Sequence, residues 1–175
     1  MFYQIPELVY SPLAELHIVN GTVLVVNDDE SKLKKQIIAQ GCQVYSCSLE
    51  DLLDLNFFSS LPEIDWVVCV TQGLGKKTEW VTDTGMAIAQ QGFCLLDRIS
   101  FLEPTRSREV VLQTQELTHM IVLSPRPAFR ADNKQAKDSV TSAWFVFSSN
   151  RTNQQSTKIN FALNWQRPRA LHSVK

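Results

Sequence analysis

Residues 64–77, Ile64-Asp-Trp-Val-Val-Cys-Val-Thr-Gln-Gly-Leu-Gly-Lys-Lys77, join an apolar run to a glycine-containing basic loop. Asp65 to Val70 has the length and β-branched content of a buried strand, the kind found in sheets covered by helices. The carboxyl ends of such strands open onto the crevice where ligands bind. What residues 70–77 can do there depends on how the flanking chain is organised.

Short apolar runs alternate with helical patterns on both sides of this stretch. Thr22 to Val26 is a β-branched strand, and Asp28-Asp-Glu-Ser31 starts a helix with apolar positions Leu33, Ile37 and Ile38 that Gly41 ends. Cys42 to Ser46 forms a second strand, and Leu49 to Leu55 a short acidic amphipathic helix. The strand at 65–70 is the third. A helix over Thr78 to Gln91 is stopped by Gly92, and Phe93 to Leu96 is a fourth strand. A turn at Glu103-Pro104, a helix from Ser107 to Glu116, and strands at His119–Leu123 and Thr141–Phe147 complete the pattern. This alternation predicts an α/β domain with a mostly parallel sheet of about six or seven strands and helices on both faces. We expect the domain to span residues 1–147. Residues 148–175 form a polar tail in which 159–165 is a candidate edge strand.

With 175 residues the chain fits one domain with a substantial core. A hydrophobic share of 44%, a charged share of 20% and a formal charge of −1 describe an ordinary globular protein. They give no global pull toward nucleic acid or membrane, so an anionic partner needs a local basic patch. Cys42, Cys47, Cys69 and Cys94 have no CxxC spacing and lie far from His17, His119 and His172, which argues against a zinc site. No basic leader precedes an apolar run, and no stretch of about 18 apolar residues occurs, so the expectation is a cytoplasmic, reduced setting with buried thiols and no membrane contact. In that setting the sequons at Asn20 and Asn150 are coincidental.

Several candidate sites have a plainer structural reading. Gly73-Leu-Gly-Lys-Lys77 suggests a phosphate cradle, but its glycines are too close together for the G-x-x-x-x-G-K-[ST] spacing, so a plain strand-to-helix connection is favoured. Asp28, Asp29 and Glu30 complement a helix dipole more simply than they hold a metal. Asp65 opens its strand at the end away from the crevice, which favours a structural role. Arg98, Glu103 and Arg106 follow the fourth strand, where an Arg–Glu pair would orient a loop. Arg126, Arg130, Lys134 and Lys137 line the loop before the last strand, with Asp132 and Asp138 as nearby acids, and there they can meet phosphates. Trp144, Phe145 and Phe147 suit the core.

Three segments carry a more specific signal: Arg98-Ile-Ser-Phe-Leu-Glu-Pro104, Ser124-Pro-Arg-Pro-Ala-Phe129 and Asp138-Ser-Val-Thr-Ser-Ala-Trp-Phe-Val-Phe147. In order and spacing the chain resembles the Rossmann-like S-adenosylmethionine-dependent methyltransferases, in particular the phage-type DNA adenine-N6 family. That family carries similar segments as RLSFLEP, PRPSF and DSVTxAWFVW. Phe2-Tyr-Gln-Ile-Pro6 is similar to its Y-x-T-P segment, so the resemblance implies that Tyr3 and Pro6 lie beside the cofactor. It covers residues 2–147 and implies a methyltransferase fold whose last strand is antiparallel.

The two places where the family does its chemistry are altered. Its glycine-rich turn E-P-x-x-G-x-G corresponds to Val25-Val-Asn-Asp-Asp-Glu-Ser31, where no glycine allows close backbone approach and three acids face the cofactor's carboxylate. Its N-P-P-F, which holds the adenine amino group and stacks on the flipped base, corresponds to Val70, Thr71, Gln72 and Gly73. These lack the side-chain amide, the prolines and the ring. The resemblance therefore implies a degenerate member without methyl transfer and without a cofactor, acting as a nucleic-acid- or protein-binding module. The alternative is an active S-adenosylmethionine-dependent DNA adenine-N6 methyltransferase with non-standard motifs, using Asp28, Asp29 or Glu30 on the cofactor side. A third reading is a purely structural or assembly role.

Overall fold

The computed structural model of the chain describes residues 5–27, 32–71, 77–103, 105, 108–109, 116–129, 140–149 and 156–167. Among these, seven strands form one sheet: β1 (Thr22–Val26), β2 (Gln43–Cys47), β3 (Trp66–Val70), β4 (Gly92–Arg98), β5 (Glu116–Ser124), β6 (Ser142–Ser148) and β7 (Lys158–Leu163). Their order is β2-β1-β3-β4-β6-β5-β7. β6 alone of these runs against the rest, pairing antiparallel with β4 and β5, while the other pairings are parallel. The sheet is therefore mixed and mostly parallel, as the alternating pattern requires.

Side chains that alternate along the central strands build two cores. Val23, Val25, Trp66, Val68, Cys94, Leu96, Trp144 and Val146 point to one face, where α1 (Ser11–Ala14) and α2 (Lys32–Ile38) contribute Leu13, Leu33 and Ile37. Leu24, Val26, Val67, Cys69, Phe93, Leu95, Phe145 and Phe147 point to the other. There α3 (Leu55–Ser60) and α4 (Thr78–Ile88) bring Phe57, Phe58, Val81 and Met86. Continuous apolar runs are what strands covered on both faces need.

At the amino end of the sheet Asp65 acts as a structural tie. Its Oδ2 accepts the Thr22 amide at 2.8 Å, and its Oδ1 accepts the Gln91 side-chain amide at 2.9 Å. Gln91 in turn accepts the Trp66 indole N–H at 3.1 Å. Gly21 sits at φ +72° directly beside this carboxylate, and a Cβ there would collide with it. The position therefore needs glycine for both its backbone angle and its space.

Some boundaries differ from the sequence pattern. The acidic segment at 49–55 splits into a 3₁₀ turn, Asp51–Leu53, and α3, because the Asp54 side chain accepts the Asn56 amide at 2.9 Å and caps a new helix. α4 ends at Ile88 rather than Gln91, because the Gln90 and Gln91 amides are taken by the Ile64 and Asp65 carbonyls, both at 2.9 Å. Gly92 opens β4 instead of stopping the helix. β5 begins at Glu116, three residues earlier than expected, with a register shift between Leu117 and His119. Arg108 and Glu109 are helical, within the expected 107–116 helix.

Residues 158–163 form β7 at the sheet edge, beside β5. Trp165 follows, buried, its indole N–H donating to the Pro125 carbonyl at 2.7 Å. Among the described residues no helix is long and apolar enough to cross a membrane, and no three of His, Cys, Asp and Glu gather as metal ligands.

Candidate functional site

The strand order reverses at β1, whose neighbours β2 and β3 lie on opposite sides. In open α/β sheets the crevice at the carboxyl ends beside such a reversal is where ligands bind. The described residues there are Asn27 after β1, Val70 and Thr71 at the end of β3, and Asp97 and Arg98 at the end of β4.

Asn27 adopts φ +62°, a conformation asparagine tolerates better than most residues. This turns its side chain across the crevice, where Nδ2 donates to the Val70 carbonyl at 2.8 Å. The Asn27 amide also donates to Cys47 on β2 at 3.2 Å, so one residue ties the ends of three adjacent strands. Val70 is 1% exposed, its side chain packed into the core shared with α1 and α2. The Thr71 amide and hydroxyl both donate to the Leu96 carbonyl, at 3.1 and 3.0 Å. The polar groups at this strand end are spent on neighbouring strands.

Among the described residues, Asp97 is the acid at this crevice. It is half-buried, and burial pushes its carboxyl above the usual carboxylate range, opposed by the hydrogen bond from the Arg98 amide, by the nearby Thr71 side chain and by the charges of Arg108 and Arg98. The Arg98 amide reaches its Oδ1 at 2.7 Å. Arg108 braces the segment after β4. Its Nε donates to Glu79 of α4 at 3.0 Å and its Nη1 to the Ser100 carbonyl at 2.6 Å, while its guanidinium lies 5.7 Å from the centre of the Phe101 ring. Phe101 is buried against Phe145 and Phe147, ring centres 5.3 and 6.4 Å away. Residues 98–103 are thus scaffold, a 3₁₀ turn at Ile99–Leu102 wedged under the sheet. Among the described residues an ion pair on this side joins Arg108 to Glu79, while Arg106, expected with Arg98 and Glu103 in an Arg–Glu pair, lies outside them.

The candidate residues fall into three groups. Val70 and Thr71 come together with Asn27 and Asp97 at the crevice. Pro6 is half-buried in the turn leading into α1, its carbonyl accepting the Val9 amide at 3.4 Å. Arg126 is exposed two residues past β5, bordering a cleft of about 420 Å³ with Pro125, Thr141, Phe161 and Leu163. Two strands, β4 and β6, separate β3 from β5, so Arg126 stands roughly 14 Å along the sheet from the crevice. Tyr3, Asp28, Asp29, Glu30, Gln72, Gly73, Arg106, Arg130, Lys134 and Lys137 lie outside the described residues.

Sequence reasoning missed Asn27, Asp97 and Arg108. The signal available for Asn27 was an asparagine directly after a β-branched strand. For Asp97 it was a lone carboxylate ending an otherwise apolar run.

No family model matches the chain, and no curated protein does. Among solved structures, a Listeria monocytogenes protein assigned to the class I S-adenosylmethionine-dependent methyltransferases superposes with a TM-score of 0.54 at 9% identity, over 90% of this chain. The chain spans 64% of that protein's length. A predicted O-methyltransferase of Agrobacterium tumefaciens matches at a TM-score of 0.40 and 14% identity, over 81% of this chain and 66% of its own. The likeness to the first is one of fold: seven strands with this order and helices on both faces form a Rossmann-like, methyltransferase-type α/β domain.

Proposed function

We propose that this chain is a methyltransferase-fold protein that no longer transfers methyl groups and serves as a binding or regulatory module. Its substrate face takes nucleic acid or a protein partner, with Arg126, Arg130, Lys134 and Lys137 as the contacting cations. The observation that carries the reading is the state of the β3 terminus. Val70 offers no polar side-chain atom, its carbonyl accepts the Asn27 amide, and Thr71 is turned into β4. A base-holding site needs donors and acceptors aimed outward, and these are aimed into the sheet. Asn27 spans the crevice where a cofactor would enter, and in the sequence no glycine follows it at the positions where the resembled family has a glycine-rich turn. The described residues therefore do not fit S-adenosylmethionine.

Calorimetry with S-adenosylmethionine, at protein concentrations able to register micromolar affinity, is expected to show no binding heat. A mobility shift with oligonucleotides is expected at low salt and lost at high salt. Micromolar cofactor binding would overturn the inactive reading, and no shift at any salt would remove nucleic acid as the ligand.

A second reading, an active S-adenosylmethionine-dependent DNA adenine-N6 methyltransferase with non-standard motifs, rests on Asp97. A half-buried acid with a raised pKa at a strand end is the kind of group that catalysis recruits. On that reading Asp97→Asn abolishes a transfer activity that the folded wild type possesses.

A further inference from the structure

Ile159, Phe161 and Leu163 alternate along β7 and are 58%, 66% and 64% exposed. Their register partners Met120, Val122 and Ser124 on β5 place them on the face of the sheet that α3 and α4 cover further in. Three large apolar side chains exposed in a row on an edge strand are unusual, because such an edge is a template for pairing with another chain. Within its own residues β7 lacks the usual protection: no proline lies in its six residues, its register with β5 runs unbroken, and its one cation, Lys158, is its first residue. Together the three side chains offer on the order of 350 Å² of apolar surface, within the range of about 300–600 Å² for the largest patch on a typical monomer.

We infer that β7 is a homodimer edge: two copies of this chain pair antiparallel along β7 about a two-fold axis at Phe161, joining their sheets. The pattern of the strand selects this occupant. In antiparallel pairing centred on Phe161, that residue faces its own counterpart, while Ile159 faces Leu163 and Leu163 faces Ile159. The apolar stripe is therefore complementary to itself, as a two-fold interface requires. On the opposite face Asn160 meets Ala162, so a small side chain accommodates a polar one. Lys158 falls across from Asn164, just past the strand end, so no like charges are opposed. The stripe supplies a little under half of the roughly 800 Å² per partner of a standard interface. The dimer is accordingly a reversible one that forms in the micromolar range, with the remaining area coming from the strand backbone and its flanks.

The test is sedimentation velocity on the full chain across the micromolar range. The wild type is expected to shift from monomer to dimer with concentration. Phe161→Lys sets two cations against each other at the axis, and its dimerisation should weaken about tenfold or more with an unchanged circular dichroism spectrum. Because Phe161 is mostly exposed, the variant should fold. An equimolar mixture of Phe161→Lys and Phe161→Glu should regain the dimer, since only a register placing residue 161 opposite itself brings the two opposite charges together. A wild type that is monomeric throughout, a dimer untouched by Phe161→Lys, or a mixture that stays monomeric would each overturn the inference. So would a monomeric wild type whose oligonucleotide shift disappears in Phe161→Lys, which would assign the stripe to base stacking. None of these outcomes bears on cofactor binding at the crevice.

Discussion

Asp97 sits on the border between scaffold and site. Its folded-state pKa is raised, so the folded chain holds this proton more tightly than the unfolded chain does. Stability is therefore highest, with respect to this group, when the pH is below the ordinary carboxylate value. It falls as pH rises from there through the raised value, and stays reduced above it. Asp97→Asn keeps an acceptor for the Arg98 amide and removes the charge. We expect it to raise the thermal midpoint at neutral pH, with the gain vanishing in acid, as pH-resolved calorimetry would read. A lowered midpoint at neutral pH would mean that Arg108 and Arg98 more than offset the burial. The four cysteines are free and buried, and burial pushes Cys47 up to about 12 and Cys69 and Cys94 further. With thiolate so scarce, a thiol reagent should titrate them quickly only in denaturant. The sequence signals of Asn27 and Asp97 carried little weight on their own, because the importance of each depends on which strand lies beside it. Val70 and Thr71 were legible, since a position that ends a buried strand is fixed by the run before it.

At the level of elements, the central strands were legible because parallel strands covered on both faces are continuous apolar runs, as Thr22–Val26 and Trp66–Val70 are. The ends of helices were not, because capture by distant partners sets them, as the Ile64 and Asp65 carbonyls end α4. Close packing of α4 on the sheet makes a further demand. A Cβ at Gly85 would come within 2.6 Å of the Phe93 ring and 3.4 Å of Val67. Phe93 is fully buried and cannot swing away. Gly85→Ala is thus expected to destabilise by about 1–3 kcal/mol, despite the better helix propensity of alanine, and chemical denaturation would read it. The β5–β7 pair carries its own pH dependence. His119 lies opposite Lys158, and burial first, then that charge, holds the imidazole below its ordinary value. Neutral His119 favours the fold, so this contribution is present above the unfolded imidazole pKa and is lost as pH falls through the lowered one. Lys158→Thr should move the His119 titration upward in NMR, while leaving the part due to burial.

Over the whole molecule, the C-terminal segment is where composition says least. A polar stretch reads as tail, yet β7 and Trp165 return to the sheet, and Trp165 is buried between the α1 side and the Ser124–Pro125 turn. The edge strand was legible within 159–165 and forms as β7, whereas the burial of Trp165 was not, because one indole in a polar stretch leaves no pattern. Trp165→Ala is expected to cost about 3 kcal/mol or more. Trp165→Phe, which keeps the ring and loses the bond to Pro125, should cost about 1 kcal/mol. Similar losses for both would mean that the indole hydrogen bond, rather than packing, anchors the segment. The seven described strands and Trp165 build the scaffold, while the described polar groups at the ends of β1 and β3 are turned toward neighbouring strands. The most direct test of that contrast is transfer of a labelled methyl group from S-adenosylmethionine to DNA and RNA by the purified, folded protein. Incorporation equal to that of a heat-killed control is expected. Incorporation above that control, abolished by Asp97→Asn, would contradict it.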